Sequence, residues 1–386
     1  MSAPLTIIGS GMAGFGLARQ LRSRDAERPI TLITADGGDD YSKPLLSTGF
    51  AKRLSPERLV SRSALQVADE LSLTLRTHTV VDAIDSASRS LQLGAEALAY
   101  DQLVLATGAA PALPFAIPAQ LSGRVFTVND LDDYRGFHAA LAALGRPARV
   151  IIVGTGLVGC EFANDLVAGG HQVAMVAPEA SLLARLLPAA LGHALGDAFS
   201  EAGIKLYRGH TVSELGLDGA GVGLRLDDGR ALQADLVLIA TGLRPRAALA
   251  KTAGLRVGPG GIMVDRYLET SAPGVYALGD VACVDGLNAM YVQPLQAGAK
   301  ALAATLAGNP TAVSYGPWPI LVKTLLLPVV SLPPTEPPAR WRIEGEGHDL
   351  TALAQSKDER LIGFALTGSC VRRKVELARL APPLLG

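Results

Sequence analysis

Leu5-Thr6-Ile7-Ile8-Gly9-Ser10-Gly11-Met12-Ala13-Gly14 runs from four strand-forming residues into glycines spaced G-x-G-x-x-G. From Met12 onward the pattern is helical, with Leu17 and Leu21 on one face. A glycine triplet alone is a weak signal, and its position between strand and helix makes it strong. Gly9 permits the tight turn, Gly11 lets the backbone approach a pyrophosphate, and Gly14 lets helix and strand pack closely. The anion then meets free N–H groups at a helix N-terminus. A second short strand, Ile30-Thr31-Leu32-Ile33, completes a βαβ unit. Asp36 follows Gly14 at roughly the 20-residue spacing of an acid that binds ribose hydroxyls.

The same word returns about 145 residues later. Arg149-Val150-Ile151-Ile152-Val153 reads as a strand, Gly154-Thr155-Gly156-Leu157-Val158-Gly159 as the turn, 161–167 as helix and 173–176 as the next strand. This interval is too long for a solenoid and fits two separate dinucleotide-binding domains. Glu179 is either the second ribose acid or a cap beyond Pro178, and both readings stay open. No Arg or Lys directly follows the strand to hold a 2′-phosphate, which favours NAD over NADP.

Two further segments match each other. Asp101-Gln102-Leu103-Val104-Leu105-Ala106-Thr107-Gly108 resembles Asp235-Leu236-Val237-Leu238-Ile239-Ala240-Thr241-Gly242, each a buried strand ending in Thr-Gly. Residues 109–122 and 243–250 read as linkers. Prolines cluster at 332–338, and 341–366 alternates like an antiparallel hairpin or meander.

Composition sets the limits. The 386 residues are enough for two or three domains at about 150 residues each. A hydrophobic fraction of 49% with 18% charged residues excludes a disordered chain. Lys+Arg 35 against Asp+Glu 36 gives a net charge of −1, so no global basic field points to nucleic acid. An aromatic content of 5% argues against stacking platforms for bases. Cys160, Cys283 and Cys370 cannot build a disulfide framework and are expected as buried small apolar groups. Residues 103–123 are uncharged, but Pro111, Pro114 and Pro118 break any spanning helix. No basic, signal-like start precedes Leu5. The expectation is a soluble cytoplasmic protein with no membrane, nucleic-acid or metal site.

A third motif, Tyr276-Ala277-Leu278-Gly279-Asp280, reads as a strand and turn ending in a carboxylate. With the two glycine motifs it resembles the FAD-dependent pyridine nucleotide–disulfide oxidoreductase superfamily, in motif order and over nearly the whole chain. The resemblance implies FAD on the first glycine motif and NAD on the second, with Gly279-Asp280 returning to the FAD domain. It departs from the disulfide reductases where they carry Cys-x4-Cys, for Tyr41-Ser42-Lys43-Pro44-Leu45-Leu46-Ser47 stands there instead. That stretch, with Cys160-Glu161-Phe162-Ala163-Asn164-Asp165-Leu166, Tyr291-Val292-Gln293-Pro294-Leu295 and Val322-Lys323-Thr324, is similar to the ferredoxin and rubredoxin reductase branch, and more to its rubredoxin reductases.

The fold expected is thus α/β: two Rossmann-like domains, for FAD and NAD, plus a small α+β C-terminal domain. The boundaries expected are 1–112 with 247–314 for FAD, 113–246 for NAD and 315–386 for the C-terminal domain. The resemblance implies Lys43 near the reactive flavin nitrogen, Glu161 as its ion-pair partner, and Lys323 reaching the flavin from the C-terminal domain; these are the three catalytic candidates. The cofactor-binding candidates are Gly9, Gly11, Met12, Ala13, Gly14, Asp36, Lys43, Pro44, Val80, Ala106, Thr107, Gly108, Gly279, Asp280, Pro294, Leu295 and Lys323 for FAD. For NAD they are Gly154, Gly156, Leu157, Val158, Gly159, Glu161, Glu179 and Gly242.

The activity implied is transfer from NADH through FAD to rubredoxin, in two single-electron steps. A ferredoxin reductase, an NADH oxidase and a redox-responsive flavoprotein stay open as alternatives. Rubredoxins are generally acidic, so basic stretches are docking candidates: Lys43, Lys52, Arg53, Arg58 and Arg62 in 41–62, and Arg372-Arg373-Lys374.

Overall fold

The computed structural model describes residues 4–386, so residues 1–3 of the first expected domain lie outside the described residues. The first glycine motif sits in a five-stranded parallel sheet. Its order is Val275–Ala277, Gln102–Leu105, Leu5–Ile8, Ile30–Ile33, Thr74–Arg76. Strands of parallel sheets are covered on both faces, which is why Leu5–Ile8 is apolar nearly throughout and buried at every position. Helix α1, Met12–Arg22, follows directly, with basic Arg19 and Arg22 in its last turn, at the negative end of the helix dipole.

The second motif sits in a second parallel sheet of the same design. Its order is Val125–Phe126, Leu236–Ile239, Arg149–Val153, Gln172–Ala177, Lys205–Arg208. Helix α2, Leu157–Ala168, takes the place of α1. In each sheet the strand leading to Thr-Gly lies beside the strand leading to the glycine loop. Each sheet also has a three-stranded antiparallel meander inserted before that strand, at Ala83–Asp85, Ser90–Leu93, Glu96–Ala99 and at Val212–Asp218, Gly221–Leu226, Ala231–Ala234. These two sheets bear out the α/β, two-Rossmann reading.

The expected linkers are more ordered than their prolines suggested. Ala109–Pro111 pairs antiparallel with Leu243–Pro245, so the two crossings between the sheets form one ribbon. A two-stranded ribbon has two free edges, and a proline's missing N–H is tolerated there.

Helix α3, Val292–Leu306, packs against α1. The remaining chain forms a five-stranded antiparallel sheet, ordered Ile320–Val322, Val329–Leu332, Leu361–Thr367, Asp349–Gln355, Arg340–Glu346. The expected meander is its last three strands, and Lys374–Leu380 closes the chain as a short helix. Cys160 and Cys283 are buried free thiols; Cys370, expected to be buried, is only half so. Among the described residues no helix is long and apolar enough to cross a membrane.

Candidate functional site

The glycine loops show why their spacing is needed. Gly9 has φ +114°, and a Cβ there would stand 2.3 Å from the Ala106 carbonyl oxygen. A Cβ on Gly14 would fall 1.9 Å from the Gly9 oxygen, whereas one on Gly11 would meet nothing within 4 Å. The second loop repeats this geometry. Gly154 has φ +118° and faces Ala240, Gly159 faces Gly154, and Gly156 is open. The two Ala-Thr-Gly segments are therefore the carbonyl walls against which the loops turn. In each loop the outer glycines are closed by backbone and the middle one faces free space.

A cavity of about 1020 Å³ opens from the first loop. That is at the upper end of small-molecule sites, as a dinucleotide requires. Among the expected residues, Gly9, Gly11, Met12, Ala13, Asp36, Lys43, Pro44, Val80, Ala106, Thr107, Gly108, Leu157, Val158, Glu161, Asp280, Leu295 and Lys323 line it. Gly14, Gly279 and Pro294 lie behind the wall. Gly279, at φ +79°, packs so closely on Ala13 that a Cβ would stand 2.8 Å from it, which fixes Asp280 against the start of α1. Gly154, Gly156, Gly159, Glu179 and Gly242 do not line this cavity. They stand at the carboxyl end of the second sheet, with Glu179 exposed just beyond Gln172–Ala177. Leu157 and Val158, the first turn of α2, connect the second loop to the cavity.

Asp36 is held in one orientation. Its Oδ1 accepts from Ser10 Oγ at 3.0 Å, Thr34 Oγ1 at 2.7 Å and the Gly38 N–H at 2.9 Å. Oδ2 accepts no hydrogen bond from a described residue. The Asp280 carboxylate, half-buried in the wall, likewise accepts none. Burial raises its pKa and the Lys43 charge opposes the rise. Lys43 answers in kind: desolvation lowers its pKa and Asp280 opposes this, with Arg246 adding repulsion. Two carboxylates with oxygens to spare, an open glycine and a cation fit the hydroxyls, pyrophosphate and ring of FAD.

The expected pairing of Lys43 with Glu161 is not what the structure shows. Lys43 Nζ donates to Asn129 Oδ1 at 2.7 Å, and Asn129 is itself fixed by donating to the Ala109 carbonyl at 3.0 Å and by its N–H to Asp133 at 2.9 Å. Glu161, buried on α2, accepts from Ser47 Oγ at 2.7 Å, from the Lys323 N–H at 3.1 Å and from Lys323 Nζ. The strand Ile320–Val322 delivers Lys323 to this carboxylate and leaves Lys43 to the amide. Asn129 and Arg246 had no signal in any motif. Ser10 and Ser47 stand inside the glycine motif and the Tyr41–Ser47 stretch, where their hydroxyls were the available clue, and Thr34 directly follows the second strand.

The basic stretches are also reduced. Lys43 turns into the cavity wall and Arg62 pairs with Glu70 and Asp40, leaving Lys52, Arg53 and Arg58 exposed in 41–62. In the second run Arg373 faces Glu344 and Glu376.

Residues 3–304 match the pyridine nucleotide-disulphide oxidoreductase family, and residues 312–381 match the rubredoxin binding C-terminal domain. The chain is 42% identical to a rubredoxin-NAD(+) reductase of Alcanivorax borkumensis, over 99% of each chain. It is 36% identical to a nitric oxide reductase FlRd-NAD(+) reductase of Vibrio vulnificus, over 98% of each. Among solved structures, a ferredoxin reductase from Rhodopseudomonas palustris superposes with a TM-score of 0.87 at 26% identity, covering 98% of this chain and 95% of the other.

Proposed function

Since the chain belongs to the pyridine nucleotide-disulphide oxidoreductase family, we propose that it is an FAD-dependent oxidoreductase passing electrons from NADH to rubredoxin. The observation that carries this reading is the one cavity into which the first glycine loop, the first turn of α2 and the C-terminal Lys323 all project. FAD, when bound, supplies the conversion between a two-electron hydride donor and a one-electron carrier; the protein supplies position and charge.

Asp36 and Asp280 would hold the hydroxyls of the cofactor, and Gly11 would leave room for its pyrophosphate. Lys43, fixed by Asn129, keeps a positive charge at the cavity wall, where it favours negative charge developing nearby. Leu157 and Val158 give the nicotinamide an apolar approach. Glu179 holds the adenosine ribose of NADH at the second sheet. Glu161 neutralises Lys323, so the cationic field on the cavity is that of Lys43 and Arg246.

The domain division follows the same reading: 1–112 with 247–314 for FAD, 113–246 for NAD and 315–386 facing the carrier. With three free thiols and no Cys-x4-Cys pair, electrons leave without a protein dithiol, and a reducing cytoplasmic location suits the chain.

The test is anaerobic NADH oxidation with rubredoxin and a [2Fe–2S] ferredoxin in parallel. Fast bleaching of rubredoxin with slow ferredoxin reduction is expected. The reverse order would assign the chain to the ferredoxin reductases, and reduction of neither would overturn the carrier reading.

A further inference from the structure

One face of α2 carries three buried polar residues, Glu161, Asn164 and Asp165, at the spacing that stacks side chains along a helix. Each ties down a different segment. Glu161 holds Ser47 and Lys323, as described. Asp165 accepts the N–H groups of Phe50 at 3.1 Å and Ala51 at 2.8 Å. Asn164, only 4% exposed, accepts the Leu326 N–H at 3.0 Å through Oδ1. The proposed function gives Glu161 a part, in neutralising Lys323, and gives Asn164 none.

The loop that Asn164 holds, 323–328, joins the first two strands of the C-terminal sheet and is closed by Thr324 Oγ1 donating to the Leu327 carbonyl at 2.6 Å. Its tip displays apolar surface to water: Leu325 is 81% exposed and Leu326 38%. Leu321, 52% exposed and part of the cavity wall, carries this surface to the cavity mouth. Leucines exposed together in one short stretch fit a contact surface better than a merely solvated loop. Next to Ala51, which the neighbouring Asp165 holds, stand the exposed cations Lys52 and Arg53. The Lys52 and Lys323 charges both act on Asp165, so basic and apolar groups share this side of α2.

We propose that Asn164 is a positioning residue for the electron acceptor: it fixes the tip bearing Leu325 and Leu326 as the apolar contact for a small acidic iron-centre protein. The inference rests on the proposed function and adds the contact and what sets it. The leucines lie in the segment matching the rubredoxin binding domain, and Leu321, on the strand that leads into their loop, lines the cavity. The cations speed encounter with an acidic partner, and the leucines set its residence time.

The test uses the flavin-loaded full chain, with Asn164→Ala and Leu325→Asp. Four quantities are read: the rate of flavin bleaching by NADH, the KM and kcat for rubredoxin, and the Kd of oxidised rubredoxin by calorimetry. For Leu325→Asp, Kd and KM should rise about tenfold or more, since a carboxylate must be desolvated at the contact. For Asn164→Ala they should rise about threefold to tenfold, with kcat and flavin bleaching within about twofold of the parent. Asn164→Ala should add little in the Leu325→Asp background, because both act through one loop. Unchanged Kd in both single variants would overturn the inference while leaving the proposed function standing. So would a parallel slowing of flavin bleaching in Asn164→Ala, which would mark a general defect of α2. A parent chain that neither binds nor reduces rubredoxin would overturn the proposed function itself.

Discussion

Lys323 gives both its backbone N–H and its ammonium to the buried carboxylate of Glu161, 162 residues away in the chain. This joins the C-terminal sheet to the helix that follows the second glycine loop. Removing one partner of such a pair strands a buried charge. Lys323→Met is therefore expected to cost about 3 kcal/mol of stability. Glu161→Gln in the same chain should recover at least half of it, because the stranded charge is gone. Thermal unfolding of the single and double variants checks this; additive losses would count against the pair.

Asp280 accepts no hydrogen bond from any described residue, and this is the reason to assign its carboxylate to FAD. Asp280→Ala should weaken flavin retention about tenfold or more. The variant is expected to purify pale and to regain colour only in excess FAD. A fully yellow preparation after dialysis would remove the assignment.

In the proposed function the second glycine loop separates packing from binding. A Cβ at Gly159 would stand 2.3 Å from the Gly154 oxygen, so Gly159→Ala should lower the melting temperature. A Cβ at Gly156 meets nothing within 4 Å, so Gly156→Ala should fold normally and retain flavin while its KM for NADH rises about tenfold. Equal behaviour of the two variants would contradict the division of labour within the motif. Glu179→Ala should likewise raise KM for NADH and narrow the preference over NADPH; an unchanged ratio would reassign Glu179 to a cap.

Asp165 gives a pH dependence. Burial raises its carboxyl from 3.8 to about 6, against the bonds from Ala51 and Phe50. Between those values the folded chain holds a proton that the unfolded chain has lost, so this group's contribution to stability falls as pH rises from about 4 to about 6. Asp165→Asn cannot titrate. Its melting temperature should therefore gain on that of the parent across this window and run parallel above it. Scanning both at several pH values tests this, and a constant difference would show that Asp165 does not titrate there.

Much of the fold was legible because it is written locally and twice. The strand–glycine–helix word at Gly9 and Gly154 and the strand ending at Thr107 and Thr241 each depend on neighbours in sequence, and their repetition fixes the two sheets. The cavity wall was legible where a motif brought its residues with it, as for Asp36, Asp280 and Pro44. Contacts between distant segments were not. Asn129 lies outside every motif and meets Lys43 only because the crossing ribbon of Ala109–Pro111 and Leu243–Pro245 brings their segments together. The prolines of that ribbon read as breakers because ribbon edges are invisible in one strand. The exchange of Lys43 for Lys323 at Glu161 is of the same kind: both lysines were expected near the flavin, and only the packing of Ile320–Val322 against α2 decides which one the glutamate holds.

The most direct measurement is a single-turnover stoichiometry. The flavin-loaded chain is reduced anaerobically with one equivalent of NADH, mixed rapidly with excess oxidised rubredoxin, and followed at the visible bands of both chromophores. Two rubredoxins should be bleached per flavin reoxidised, since a hydride carries two electrons and the carrier takes one. Flavin that stays reduced beside oxidised rubredoxin would contradict it.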